Sequence, residues 1–320
     1  MAQITAKDVA ALRAKTGLGM MDCKKALVEA EGDVEAAVKI LREKGLATAA
    51  KKEGRIAAEG IVDILKVGDT TAMIEVNSET DFVAKNDSFK EFVKGLLKTI
   101  IETKPATVEE LATKTYSGTA QTVQEELTEK IAQIGEKLSI RRFVIVEGTT
   151  TTYIHGMGQT GVIVKFNADD AAKNNAGFAE ATKNVALQIA AGNPPSYVSK
   201  EDVPAAAVEE ELSIQVAAAK NDPKLASKPD DVLKKIVSGK MGKLFYDKVC
   251  LLEQPYVKDD SMNVGKYLET VSKELGGSVK VASFVIYEKG EGIQKREENF
   301  AEEIAKMTGK AYFRKFRMGL

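Results

Sequence analysis

An internal repeat that begins near Glu59 constrains the fold of this chain more than any other feature of its sequence. Apolar, glycine and asparagine positions recur at an offset of 90 residues, which becomes 89 after one deletion. The matched pairs are Ile64 and Ile154, Gly68 and Gly158, Thr70 and Thr160, Ile74 and Val164, Val76 and Phe166, Asn77 and Asn167, then Asn86 and Asn175, Phe89 and Phe178, Leu96 and Val185, and Ile100 and Ile189. Each copy therefore has the pattern of a strand, a tight turn, a second strand, a loop and a helix.

This duplication predicts an α+β fold with two small antiparallel sheets and helices packed on one face of each. Gly68-Asp69 and Gly158-Gln159 supply the turn residues that a hairpin requires. Because a two-stranded sheet is only marginally stable, each copy needs a third strand. The best candidates are residues 142–146 and 279–287, and a further helix is predicted over residues 123–140.

Three short helical patterns within residues 1–45 predict an N-terminal three-helix bundle. The first pattern begins with the spacing of a capping box at Thr5 and Asp8 and ends at Gly17. Residues 46–58 lack a sustained apolar stripe, so they are predicted to form a basic linker.

The second half of the chain contains a predicted helical hairpin. Residues 205–220 and 231–252 have helical patterns on either side of a segment rich in proline, asparagine and aspartate. Gly239 and Gly242 lie inside the second pattern and predict a kink or an early end there, because glycine weakens a helix.

The C-terminal part has two further patterns. Residues 297–307 are amphipathic, and residues 310–317 alternate basic with aromatic side chains, which could stack on RNA or dock on protein. The predicted units are an N-terminal bundle with its linker at 1–55, a first core subdomain at 56–140, a second core subdomain at 141–290 that includes the hairpin at about 198–252, and a C-terminal module at 291–320.

Composition argues against several classes of protein. The 46 basic and 47 acidic residues leave a net charge of −1, which argues against a dedicated nucleic-acid binder. No apolar run approaches the ~18 residues of a membrane span, so a cytoplasmic location is expected. A single histidine and two widely separated cysteines exclude a histidine-rich metal site and predict reduced thiols. The chain has no glycine-rich phosphate loop, so neither a cofactor nor direct nucleotide binding is expected.

The connection after the second predicted strand, residues 78–86, is polar except at its centre. There Phe82 and Val83 require burial, either in the protein's own core or against a partner. The equivalent connection in the second copy, residues 168–175, has no aromatic residue. That difference favours a function for Phe82, although drift after duplication would produce the same pattern.

Two other places combine exposure with unusual residues. Met20 and Met21 are adjacent at a helix start, so both cannot point into one core, and at least one is expected at the surface. The alternative is that both line a loose core. His155 ends a predicted strand beside a turn, where it is either neutral surface variation or a contact residue.

Three stretches together resemble one known family. They are T-D-F-V-A-K-N at residues 80–86, G-L-G-M-M-D-C-K-K-A-L at 17–27, and H-G followed by G-V-I-V at 155–164. In sequence and order they are similar to elongation factor Ts, the guanine-nucleotide exchange factor of the GTPase elongation factor Tu. The resemblance extends over nearly the whole chain.

The resemblance implies a mechanism and a set of contact residues. The N-terminal part would be a ubiquitin-associated-like bundle that docks on the nucleotide-binding domain of elongation factor Tu through Arg13, Met20 and Met21. The signature segment would disturb the partner's magnesium and phosphate contacts. Its residues are Thr80, Asp81, Phe82 and Val83. His155 would lie near the partner's phosphate-binding loop, and the hairpin would contact the partner or a second copy, as in a homodimer or a 2:2 complex.

The resulting prediction is a translation elongation factor that promotes GDP release from elongation factor Tu and is not itself an enzyme. The acidic pairs have no histidine or cysteine nearby, and nothing close to His155 in sequence could complete a catalytic triad. The alternative is a non-catalytic RNA-associated or scaffold protein, which would bind in a strongly salt-dependent manner.

Overall fold

The computed structural model of the chain describes residues 4–191, 193–225 and 227–294. Its strands are β1 (Glu59–Val67), β2 (Thr70–Ser78), β3 (Leu138–Glu147), β4 (Thr150–His155), β5 (Thr160–Ala168), β6 (Pro255–Tyr256), β7 (Asp259–Asn263) and β8 (Val279–Glu288). They form two antiparallel sheets in the orders β1-β2-β3 and β4-β5-β8, together with a small β6-β7 hairpin. The predicted α+β class, the duplicated sheets and the two third strands are therefore confirmed.

Helices surround these sheets. They are α1 (Ala6–Thr16), α2 (Met20–Glu29), α3 (Val34–Lys52), α4 (Asp81–Lys85), α5 (Asp87–Thr103), α6 (Val108–Thr113), α7 (Val123–Ile134), α8 (Asp170–Lys173), α9 (Phe178–Ala190), α10 (Ala205–Lys220), α11 (Asp230–Ser238), α12 (Asp247–Val249) and α13 (Val264–Glu274). In the first copy α5 covers one face of the sheet, and in the second copy α9 and α13 do so. None of the described helices is both long enough and apolar enough to cross a membrane.

The faces of the two sheets that carry no helix pack against each other. Because strand side chains alternate in direction, β1 directs Ile61 to the helical side and Val62 to the opposite sheet. Met73 of β2 and Ile163 of β5, which are 90 residues apart, meet in this second layer and are fully buried. The register breaks in β2 at Glu75/Val76 and in β5 at Lys165/Phe166 are also 90 residues apart. The sequence repeat thus extends to the position of the β-bulge.

The N-terminal bundle is longer than the sequence predicted. Its first helix has the expected capping box at Thr5, and the predicted linker at residues 46–58 is wrong for residues 46–52, which continue α3. Alanine and lysine favour a helix there. Ala49 also packs against the first core cluster, the apolar core between α5 and the first sheet that includes Ile74, Phe89 and Leu96. This tertiary contact stabilises a helix that has no apolar stripe of its own. At Gly45 a Cβ would lie 3.5 Å from the Cβ of Ala132 on α7, which shows how closely the two helices approach.

Two further boundaries differ from the sequence prediction. The helix predicted over residues 123–140 ends at Ile134, because Gly135 adopts a left-handed backbone conformation with φ +81°, and Leu138 already begins β3. The second hairpin helix stops at Ser238, and a π-helical turn, Gly242–Tyr246, follows where the glycines had indicated a break. The predicted helix at 297–307 and the basic aromatic tail at 310–317 lie outside the described residues.

A buried carboxylate joins the first sheet to the end of the second. Glu75 is fully buried and accepts hydrogen bonds from Arg141 (2.9 Å), Arg142 (2.7 Å), Asn77 (3.1 Å) and the backbone N–H of Gly290 (2.8 Å). Burial by itself would raise the pKa of Glu75, but these donors outweigh it and the pKa is lowered. The charge is therefore retained inside the protein by its partners.

Replacing Glu75 by alanine is expected to lower the free energy of unfolding by about 3 kcal/mol. The buried N–H of Gly290 would lose its acceptor, and Arg141, Arg142 and Asn77 would each lose one of theirs. Denaturant unfolding of both proteins measures this. Glu147→Ala is the matched control, since Glu147 lies on the same sheet in an exposed pair with Lys104, and it should cost less than about 1 kcal/mol. Equal effects of the two substitutions would contradict this account.

The same carboxylate predicts a pH dependence of stability. Because the pKa of Glu75 is lower in the folded chain, its contribution is complete above the unfolded value of about 4.3 and is lost as pH falls through the folded value. The stability difference between the unmodified chain and Glu75→Ala should be constant from about pH 7 to 5.5 and shrink below about pH 4. A difference that does not change under acid conditions would count against an ionised Glu75.

Candidate functional site

The segment with the apolar centre is a short helix and not the loop that the sequence predicted. Residues 81–85 form α4, and this turn separates the two apolar side chains because successive helical residues point about 100° apart. Val83 is buried in the first core cluster, whereas Phe82 is 79% exposed. The protein's own core therefore takes Val83 and leaves Phe82 in solvent.

The start of α4 is fixed by the connection between α7 and β3. The carboxylate of Glu136 accepts hydrogen bonds from the backbone N–H (2.9 Å) and the hydroxyl (2.7 Å) of Thr80. Glu79 accepts one from the N–H of Lys137 at 2.6 Å and pairs with Arg55. Thr80 is half-buried, and its hydroxyl is directed to Glu136 and not to the helix start. Thr80 thus shapes the segment through Glu136, a partner 56 residues away that no local pattern indicated.

Asp81 and Lys85 flank Phe82 with opposite charges. The Lys85 Nζ lies 2.6 Å from a carboxylate oxygen of Asp81 and 5.9 Å from the centroid of the Phe82 ring. The hydrogen bond from Lys85 is the main reason that the pKa of Asp81 is lowered. At neutral pH the exposed aromatic ring is therefore bordered by a carboxylate and an ammonium group that are both charged.

A cleft separates α4 from the turn between β4 and β5. Phe82 and Asp81 lie on one side, and Met157 lies on the other side, in the turn. Met157 is 89% exposed and has a left-handed backbone conformation with φ +54°. Met157 was not among the contact residues predicted from the sequence, although a methionine between two glycines at a hairpin turn could have indicated it.

The turn that carries Met157 is held by the first copy. The carbonyl of Gly158 accepts a hydrogen bond from the N–H of Val62 on β1 at 2.8 Å. Within the second copy, the carbonyl of Gln159 accepts one from the backbone N–H of Lys289, just after β8, at 2.9 Å. At Gly158, where φ is +94°, a Cβ would lie 3.0 Å from the Cβ of Ile61, so the approach needs glycine. The two copies are thereby locked together beside the cleft.

The other predicted contact residues do not line this cleft, as far as the described residues define it. His155 is exposed at the end of β4, immediately before the Met157 turn, with its Nδ1 3.3 Å from the Tyr153 hydroxyl. Arg13, Met20 and Met21 are exposed on the bundle, with Met20 at 54% and Met21 at 62%. The sequence had required only one of the two methionines to be at the surface.

The described residues contain few groups suited to covalent or metal chemistry. Within ranges 4–191, 193–225 and 227–294, no cluster of three or more histidine, cysteine, aspartate or glutamate side chains could hold a metal ion. Cys23 and Cys250 are free and buried, and burial raises the pKa of the Cys250 thiol to about 11. At the cleft, the exposed side chains of Phe82 and Met157 lie on segments that are hydrogen-bonded to other elements of the fold.

Comparison with known proteins agrees with the resemblance seen in the sequence. The family model described as Elongation factor TS matches residues 79–291. Elongation factor Ts of Syntrophotalea carbinolica is 45% identical over 309 residues, which cover 96% of this chain and 99% of that protein. Those of Clostridium botulinum and Clostridium kluyveri are 46% and 47% identical over 312 and 309 residues, covering 96% and 95% of this chain and 100% and 98% of the relatives. With a family match over most of its length and relatives this similar from end to end, the chain belongs to the elongation factor Ts family.

Proposed function

We propose that this chain binds elongation factor Tu in the cytoplasm and accelerates the release of GDP from it, without making or breaking a covalent bond. The observation that supports this most is the exposure of Phe82 on an anchored helical turn. An aromatic side chain that its own fold leaves in water gains apolar burial only when a second molecule covers it.

The proposed mechanism depends on a difference in affinity. An exchange factor speeds nucleotide release only if it binds the nucleotide-free partner more tightly than the nucleotide-bound one. Phe82 would enter the GTPase near the elements that hold magnesium, with Asp81 directed at the same elements. Magnesium neutralises phosphate charge, so its displacement weakens nucleotide binding. Thr80 and Val83 would hold α4 in position without touching the partner. Thr80 is hydrogen-bonded to Glu136, and Val83 is buried in the core.

Rigidity of the support matters for this wedge. A side chain on a mobile loop would lose conformational entropy when it enters the partner, whereas α4 is already held by Glu136 and by the burial of Val83. More of the free energy gained from the apolar contact can then be used to distort the GTPase. The bundle residues Arg13, Met20 and Met21 would add affinity, and His155 would contact the partner's phosphate-binding loop.

Phe82→Ala is expected to slow stimulated GDP release at least tenfold, which corresponds to about 1.4 kcal/mol in the barrier. The measurement is release of labelled GDP from elongation factor Tu with and without each variant. Val67→Ala, another truncation of an exposed apolar residue, is the control and should exchange normally. Because Phe82 is mostly exposed, its variant should unfold at the same temperature as the parent chain. A stable variant that exchanges at the parental rate would remove Phe82 from the mechanism.

The bundle is expected to contribute mainly affinity. Substituting Met20 and Met21 together by alanine should raise the concentration of this chain needed for half-maximal exchange about fivefold or more and leave the saturated rate unchanged. Val28→Ala, also an exposed position on α2, is the matched control. If the double variant lowers the saturated rate without changing the half-maximal concentration, the bundle acts on the exchange step itself.

A further inference from the structure

The described methionines fall into two clear groups by exposure. Met73 and Met241 are buried and Met262 is half-buried, whereas Met20, Met21 and Met157 are each more than half exposed. The exposed group coincides with surfaces that the proposed function assigns to the partner, since Met20 and Met21 belong to the bundle contact and Met157 lines the cleft with Phe82.

Met157 belongs to none of the hydrophobic clusters formed by the described part of the chain. Its side chain is 89% exposed, and its backbone has φ +54°, a conformation that costs a residue with a Cβ roughly 1–2 kcal/mol. The neighbouring positions are glycines, which adopt this conformation without that cost. An exposed apolar side chain on a strained backbone points to a role outside the fold.

We propose that Met157 is a modification site at which a peroxide converts the thioether to a sulfoxide and thereby weakens binding of the GTPase partner. The inference rests on the proposed function, because it places Met157 in the same contact as Phe82. In this step the sulfur attacks one peroxide oxygen, an S–O bond forms and the O–O bond breaks. The sulfur is oxidised by two electrons. With hydrogen peroxide as the oxidant, the proton on the transferred oxygen passes to the other oxygen, which leaves as water.

Oxidation is expected only at exposed methionines, because Met73 and Met241 are buried in the fold. The sulfur of Met73 lies between the two sheets, so close to Gly161 that a Cβ there would be 2.8 Å from it. Met73 is fully buried, so its sulfur is out of contact with dissolved peroxide in the folded chain. At Met157 the oxygen would enter solvent, so the sulfoxide leaves the fold intact and changes only the surface presented to a partner.

Peptide mapping by mass spectrometry after treatment of the folded chain with hydrogen peroxide tests the modification itself. Sulfoxide is expected at Met157, Met20 and Met21 well before Met73 or Met241, and the unfolding temperature should not change. If Met157 resists oxidation, or is oxidised no faster than Met73, the proposal is wrong.

The functional test isolates Met157 with leucine, which keeps the apolar volume and cannot be oxidised. A chain carrying Met20→Leu and Met21→Leu retains Met157, and a matched chain also carries Met157→Leu. Peroxide should raise the half-maximal concentration for GDP exchange about fivefold in the first chain and leave the second unchanged, each compared with its own untreated sample. The matched chain also accounts for oxidation at Met1, Met307 and Met318, which lie outside the described residues.

Met157→Gln, which introduces a polar side chain of similar length, should imitate the sulfoxide without oxidant. Equal responses of the two leucine-substituted chains to peroxide would overturn the proposal while leaving exchange activity established. If the untreated parent chain does not accelerate GDP release at all, the proposed function itself has failed, and the role of Met157 fails with it.

Discussion

The contact between the two sheets is the constraint on which the rest of the structure depends. Val62, Met73 and Ile163 are fully or nearly fully buried there, and Gly161 has no room for a Cβ, which would lie 2.5 Å from Cγ1 of Val62. A small sheet with helices on one face still has a second face to cover. Duplication solves this, because each copy covers the other.

This arrangement also builds the candidate site. The backbone of β1 in the first copy binds the β4–β5 turn of the second through Val62 and Gly158. Just after β8, the N–H of Gly290 donates a hydrogen bond to Glu75 of β2. The neighbouring Lys289 donates through its backbone N–H to Gln159 in the β4–β5 turn and through its side chain to Glu59 of β1. The cleft between Phe82 and Met157 is thus a consequence of the joint between the copies, and neither copy could form it alone.

The two copies differ at positions where the shared fold does not require a particular residue. Glu75 of the first copy corresponds to Lys165 of the second, so the second copy has no carboxylate at the position that anchors the buried network of the first. Likewise, the segment equivalent to α4 is α8, which is capped by Asp169 and contains no aromatic residue. The first copy therefore carries the anchored apolar tip, and the second supplies the turn opposite it.

The sequence by itself determined the elements that local pattern controls. Alternation of apolar residues, turn glycines and the repeat offset identified the sheets, their third strands and the bundle, and the signature segment pointed to Phe82. Boundaries were wrong where tertiary contact overrides local pattern. Residues 46–52 became helical because α3 packs along α7, and residues 138–140 entered β3 because the backbone of β2 pairs with them.

Only the tertiary structure decided which side of each element meets water. In sequence Phe82 and Val83 are equivalent apolar neighbours, and the hydrogen bonds of Glu136 with Thr80 set the rotation that buries one and exposes the other. Met157 joined the candidate site for the same reason, since its exposure follows from a turn held by β1. Such pairings join residues far apart in the chain, and no local pattern records them.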